Sequence, residues 1–185
     1  MAWRFYSPVD EINPIIHDFT VVTGVAADYT ISGIPATFSE LILDLYARSH
    51  SGAAVADSVS VRFNSDTGAN YDNQFMSVNN ATVTGLIESA ATSARWGMAV
   101  GSSGTANAFG ASTLRIPNYS NAVAWKAFDF VAHADGGGTT SAFARTGGGR
   151  WKSTAAISSI TIIIGAGGLG LAQYSRVLLR GVGVT

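Results

Sequence analysis

The sequence predicts an all-β fold, an antiparallel β-sandwich that is jelly-roll-like and built from about ten short strands. Three observations carry this reading. Alternation of apolar and polar residues with period two recurs along the chain, most clearly at residues 41–48 and 59–64. Turn-forming clusters of Gly, Asn, Asp and Ser separate these stretches at the spacing of sandwich strands. No alternation of strand and helix patterns recurs, which removes a parallel sheet, and no internal repeat is visible.

Residues 1–14, MAWRFYSPVDEINP, are irregular and carry three aromatics, Trp3, Phe5 and Tyr6, ahead of Pro8 and Pro14. Two readings stay open for these rings. They cover the domain's own core, or they dock on a neighbouring subunit, where aromatic side chains are favoured anchors. Residues 1–18 are read as an N-terminal arm with Trp3, Phe5 and Tyr6 as interface candidates, and residues 19–185 as a single β-sandwich domain.

Residues 19–25 and 29–34 read as the first strands. In the next, Leu41, Leu43, Leu45 and Ala47 share one face and Ile42, Asp44, Tyr46 and Arg48 the other. Val59, Val61 and Phe63 then alternate with Ser60, Arg62 and Asn64, and a polar turn follows at residues 64–68. Such alternation suits antiparallel strands with one face in a core and one in water. A weaker strand covers residues 81–87, and residues 88–93 read as a helical turn or loop. Residues 95–100 and 112–116 are strands, the second with Leu114 and Ile116 inward and Arg115 outward.

Residues 123–134, VAWKAFDFVAHA, admit a helix, but their aromatic and β-branched content and the glycines at 136–138 favour a strand. A strand at 141–145, a turn at Gly147-Gly148-Gly149, a buried strand at 157–164 and a closing strand at 176–184 complete the chain. The expected core comprises Leu41, Leu43, Leu45, Val59, Val61, Phe63, Leu114, Ile116, Ile160, Ile162 and Leu179.

Composition narrows the function. The chain is 47% hydrophobic and 12% charged, about half the usual charged share. Lys126 and Lys152 are its two lysines, and Lys is depleted at interfaces. Both facts favour a protein that covers apolar surface by assembling, so a homo-oligomer is expected, with a trimer preferred. A net charge of −1 argues against nucleic-acid binding driven by phosphate neutralisation. Absence of cysteine excludes disulfides, thiolate metal sites and Cys nucleophiles. The most apolar window, residues 160–164, is far too short to span a bilayer, so no membrane partner is expected. The N-terminus has no apolar run of signal-peptide length, which leads to the expectation of synthesis in a cytoplasm.

The stretch IPATFSELILDLYARS (residues 34–49) followed by VRFNSDTGANYD (61–72) resembles a family of tailed-phage virion proteins, in which an "IPxTYxxLxLxxxARS" strand precedes "FNGDTGxNY". ANAFGASTLRIPNYSN (106–121), RWKSTAAISSITI (150–162) and AQYSRVLLRGV (172–182) fit as well, so the resemblance runs from about Tyr29 to the C-terminus. Two departures stand out. The family often has Gly where Ser65 stands, and often closes on "LYGI" where this chain has Leu179-Arg180-Gly181-Val182. The resemblance implies a virion structural protein of the head decoration or tail-fibre type, assembled in a host cytoplasm with the major capsid protein or other virion proteins as partners.

Motifs with chemical meaning are weak. Gly165, Gly167 and Gly170 match GxGxxG after an apolar strand, but the chain after Gly170 has no Asp or Glu and reads as a strand, so a glycine-rich hairpin loop fits and a dinucleotide site does not. Asn64, Asp66, Asn70 and Asp72 alternate as calcium-loop ligands do, without the closing Glu. His17, His50 and His133 are isolated, and no GxSxG elbow or marked carboxylate pair appears. The arginines are dispersed, mostly on outward strand phases. No catalytic, metal or cofactor residue is assigned. The expected function is a non-enzymatic capsid decoration or cement protein. A tail-fibre tip that recognises a host glycan is the alternative, and a polysaccharide hydrolase is the third reading.

Overall fold

A computed structural model describes residues 13–24, 27–137, 141–165 and 167–184. Its regular elements, among the described residues, are strands. An eight-stranded antiparallel sheet contains β1 (Ile15–Thr20), β3 (Phe38–Ala47), β5 (Tyr71–Asn79), β6 (Thr82–Ala91), β8 (Gly110–Pro117), β9 (Lys126–Asp135), β10 (Ala142–Trp151) and β12 (Arg176–Val184). A four-stranded sheet contains β2 (Tyr29–Ser32), β4 (Ala56–Phe63), β7 (Ala94–Val100) and β11 (Ser159–Ile164).

The large sheet runs β1-β12-β3-β8-β9-β10-β5-β6 and the small one β2-β11-β4-β7. Setting aside the hairpins β5–β6 and β9–β10 leaves two four-stranded sheets, β1-β12-β3-β8 and β2-β11-β4-β7, between which the chain crosses repeatedly. That order is a jelly roll of two Greek keys. The two hairpins are insertions, one in the β4-to-β7 connection and one in the β8-to-β11 connection. Both join the same edge of the same sheet, which doubles it.

The expected core is the observed one. All eleven residues named above are buried, and they line the facing sides of the two sheets with Trp96, Tyr119 and Ile157. Aromatic rings hold the insertions on. Phe63 of β4 lies 5.7 Å from Trp151, 6.1 Å from Tyr71 and 6.1 Å from Phe128, centroid to centroid. These separations suit tilted and edge-on aromatic pairing, and the cluster ties β5, β9 and β10 to the original sandwich.

Several expected boundaries shift. The first strand begins at Ile15 rather than near residue 19, inside the stretch assigned to the arm. Residues 88–91 continue β6, and β5 is a strand where no element was assigned. Gly147-Gly148-Gly149 is the middle of β10, not a turn. The reason is crowding: a Cβ at Gly149 would lie 2.6 Å from the Phe128 ring, and one at Gly148 would lie 2.6 Å from the Phe128 carbonyl oxygen. Glycine is used here for close backbone approach within a sheet.

Within the region 123–134 the strand suggested by composition begins at Lys126, as β9, and its inward phase includes that residue. That side chain is buried. Its Nζ donates to the Ala124 and Thr154 carbonyls at 2.8 and 3.1 Å, and burial lowers its pKa.

Candidate docking surface

The motif residues come first, because they are the natural candidates for chemistry. Arg48 is the middle residue of the Ala-Arg-Ser run and directly follows β3. Its guanidinium donates to the carbonyls of Ser102, Gly104, Thr105 and Ala108 at 2.9, 2.7, 2.7 and 3.2 Å, which fixes the β7–β8 loop. Ser49 donates to buried Asp57 at 2.6 Å.

In the following turn, Asn64 Oδ1 accepts from the backbone of Ser158 and Ser159, and its Nδ2 donates to Ala156 at 2.7 Å. Asp66 accepts from Gly68 N, Asn70 Nδ2 and Trp151 Nε1 at 2.8, 2.9 and 2.6 Å. Burial alone would raise the Asp66 carboxyl, and these three donors hold it below the usual range. Asp72 accepts from Ala90 N, Lys152 and Arg150 at 2.9 Å each, and these partners hold it far below the usual range. Of the residues that resembled a calcium loop, Asn64, Asp66 and Asp72 thus accept from the protein's own donors, and Asn70 is one of those donors. Among the described residues, no group of three or more His, Asp or Glu is placed to hold a metal.

The GxGxxG glycines lie in the β11–β12 loop. Gly165, Gly167 and Gly170 all have positive φ, a helix does not follow, and Ser51 N and His50 N donate to the Leu169 and Gly170 carbonyls. This is a clasp between two loops. His17 bonds Tyr29 at 2.6 Å, and neither His50 nor His133 makes a side-chain hydrogen bond among the described residues.

One surface is differently built. The register gives the outer face of the large sheet as rows that cross every strand. One row is Gly85, Met76, Thr146, Val131, Thr113, Asp44, Leu178 and Asp18; the next is Ile87, Gln74, Gly148, Asp129, Arg115, Ile42, Arg180 and Ile15. Strands β1, β12, β3 and β8 carry an ion-pair lattice. Arg176 meets Asp18 at 2.8 and 2.7 Å, Arg115 meets Glu40 at 2.8 and 3.1 Å, and Arg180 meets Asp44. Bonding to Arg176 lowers the Asp18 pKa, and bonding to Glu40 raises that of Arg115.

The inserted half, β9-β10-β5-β6, carries one ion pair, Arg150–Asp72, and exposes several apolar side chains. Ile87, Val83, Val131 and Met76 expose 73%, 60%, 59% and 47% of their surfaces on it, with Gly85 and Gly148 as floor between them. Two shallow depressions of ≈ 650 and ≈ 510 Å³ run over this floor, both lined by Gln74 and Ile87. Trp125 is half-exposed at one end of the patch, with the Arg150 guanidinium 5.4 Å from its ring centroid. A contiguous exposed apolar area of this kind marks an interaction surface.

The underside of the same hairpin is polar and pinned. Arg145, an inward residue, donates to Ser58 Oγ at 2.9 Å and lies 5.5 Å from the Phe75 centroid, and burial pushes its pKa down to about 10. Arg95 pairs with Glu88 at 2.8 Å. Asn73 Oδ1 is buried without a hydrogen-bond donor. Arg145 therefore departs from the outward placement expected of most arginines.

The interface candidates Trp3, Phe5 and Tyr6 lie outside the described residues. The apolar half-face was not singled out in the sequence. Its alternation is readable at Val83, Gly85 and Ile87 and at Val131, but only the register brings these residues together.

No family model matches the chain, and no curated protein matches its sequence. Among solved structures it is similar to "Protein of Unknown Function SO2946 from Shewanella oneidensis MR-1", at 10% identity and a TM-score of 0.25, over 94% of this chain and 77% of that one. A likeness of that size carries no argument about fold or function.

Proposed function

We propose that this chain is a non-enzymatic virion structural protein, most specifically a capsid decoration or cement protein that binds and stabilises a head shell. The observation that carries the reading is the division of the large sheet's outer face. One half is covered by ion pairs, and the other presents apolar side chains over a glycine floor. Such a face, apolar at Met76, Val83, Ile87 and Val131 with Asp129 and the Arg150–Asp72 pair as its charges, suits docking on another protein, since interface cores are depleted in charge.

The resemblance to tailed-phage virion proteins supplies the place, and the structure supplies its physical content. The residues that carry the resemblance, Arg48, Ser49, Asn64, Asp66 and Asp72, are engaged in internal hydrogen bonds. The shared pattern is therefore one of construction, and it leaves the outer faces free to bind. Under this reading the chain assembles with copies of itself and with the major capsid protein, in the host cytoplasm and then on the virion.

A tail-fibre or receptor-binding tip is the second reading. Half-exposed Trp125 beside Arg150 favours it, because an aromatic ring next to a cationic donor is a natural contact for a sugar. Separation of heads from tails in purified particles, with mass spectrometry of each fraction, tests the two. The expected result is the chain in the head fraction. Its recovery only with tails supports the second reading, and its absence from both overturns the proposal.

A further inference from the structure

We propose that β6 is a self-pairing edge. In this inference two copies of the chain join their β6 strands antiparallel about a two-fold axis through Gly85, forming one continuous sixteen-stranded sheet. The inference rests on described residues alone and does not depend on the virion reading.

β6 ends the large sheet, and among the described residues its outer edge has no paired strand. Open edges of soluble proteins are usually guarded by Lys, Pro, outward charge or brevity. This one is ten residues long, TVTGLIESAA, with no Lys, Arg or Pro. Its single charge, Glu88, is held on the inner face by Arg95 at 2.8 Å and Asn73 at 3.1 Å. Four of its first six residues, Thr82, Val83, Thr84 and Ile87, are β-branched, as pairing strands favour.

A second copy is the occupant because the strand is complementary to itself. A two-fold contact pairs residue i with j and j with i. With the axis at Gly85, Val83 lies opposite the second copy's Ile87 on the outer face, twice. Gly85 faces Gly85, where a Cβ would meet nothing within 4 Å of its own chain. Glu88 lies opposite Thr82, so the two carboxylates are kept apart. Moving the axis one residue to either side breaks the Val83–Ile87 match. The pairing also sets the apolar half-faces of the two copies side by side.

Three variants read this register. The chain has no cysteine, and directly opposed residues have Cα atoms about 4.5–5.5 Å apart, within disulfide range. Gly85→Cys, oxidised with diamide, is expected to give a covalent dimer, and Val131→Cys, exposed on the same face but remote from the edge, is not. Val83→Lys with Ile87→Lys places like charges opposite each other, and the mass in sedimentation equilibrium is expected to fall to half the wild-type value. Val83→Lys with Ile87→Glu places opposite charges together and is expected to restore it. Circular dichroism checks that each variant is folded; the substituted side chains are solvent-facing, so folding is expected to survive. A wild-type mass unchanged by the double lysine variant, or cross-linking of Gly85→Cys no greater than that of Val131→Cys, overturns the proposal. So does a wild-type protein that is monomeric throughout, which would assign the edge to a different partner.

Discussion

Replacement of Arg48 tests whether the Ala-Arg-Ser run is structural. Its guanidinium is the shared donor for four carbonyls of the β7–β8 loop, at distances between 2.7 and 3.2 Å. A hydrogen bond to a charged group contributes about 1.5–3 kcal/mol, and leaving a buried acceptor unpaired costs about 1–3 kcal/mol. The four bonds are not additive, and the loop carbonyls regain water once the side chain is gone. Arg48→Ala should therefore lose about 3–5 kcal/mol. For a chain of this length that corresponds to a fall in Tm of roughly 6–20 °C.

Arg48→Lys keeps the charge but not the planar fork that reaches several acceptors. It should lose about half as much. Urea denaturation gives the free energies. Amide exchange should show residues 101–109 losing protection first in Arg48→Lys, while β3 and β12 keep theirs. A loss below about 1 kcal/mol for Arg48→Ala would refute the clamp, because no set of four charge-assisted bonds should be that weak. Equal losses for Ala and Lys would show that the fork geometry matters and the charge does not.

Other expectations follow from single residues. Ser65 has φ of +56°, a conformation that costs an L-residue about 1–2 kcal/mol; Ser65→Gly, the residue often found there in the resembling family, should stabilise by about 0.5–1 kcal/mol in urea melts after glycine's own entropic cost is counted. Burial and the surrounding groups push the Tyr71 phenol up to about 12, so the folded state keeps a proton that the unfolded chain releases near pH 10; stability should fall by about 2 kcal/mol between pH 10 and 12. Tyr71→Phe should remove that slope while losing about 1 kcal/mol at neutral pH, since the Phe63 N–H loses its acceptor. The same comparison subtracts the other shifted groups: Tyr29 and Tyr119, raised by burial, give a slope of the same sign, and Lys126, lowered by burial, one of opposite sign. Trp3→Ala with Phe5→Ala should weaken attachment to the particle and leave the melting temperature unchanged; lost stability with occupancy unchanged would assign those rings to the chain's own core.

What was legible in the sequence was whatever period two expresses. Leu41, Leu43 and Leu45 and Val59, Val61 and Phe63 face a core on one side only, so their alternation is undisturbed and their burial follows. The topology was not legible, because strand order depends on which segments meet across the sheet, and neighbours such as β10 and β5 are far apart in the chain. The glycine run at 147–149 was misread for a local reason: glycine signals a turn, and only the proximity of Phe128, Phe75 and the β5 backbone makes it a strand residue here. The shift of β6 into residues 88–91 has a similar cause. A bulge near Tyr71 and a positive φ at Ala90 let the strand continue where its small residues suggested a break. The docking surface was the least visible part. Met76, Val83, Ile87 and Val131 come from three strands and are unremarkable singly, and their shared face exists only once the two inserted hairpins lie side by side.

Under the proposed function, the inserted half of the large sheet is a docking face for the head shell. A density map of the intact virion tests it most directly. The expected map has the twelve-stranded sandwich on the outside of the head, with Met76, Val131 and the Gly148 floor against a neighbouring protein and the ion pairs of Arg115, Arg176 and Arg180, on the same sheet face, lying beyond the edge of that contact. A map that places the sandwich on the head with this apolar half facing solvent, or that places it only at the tail, would contradict it.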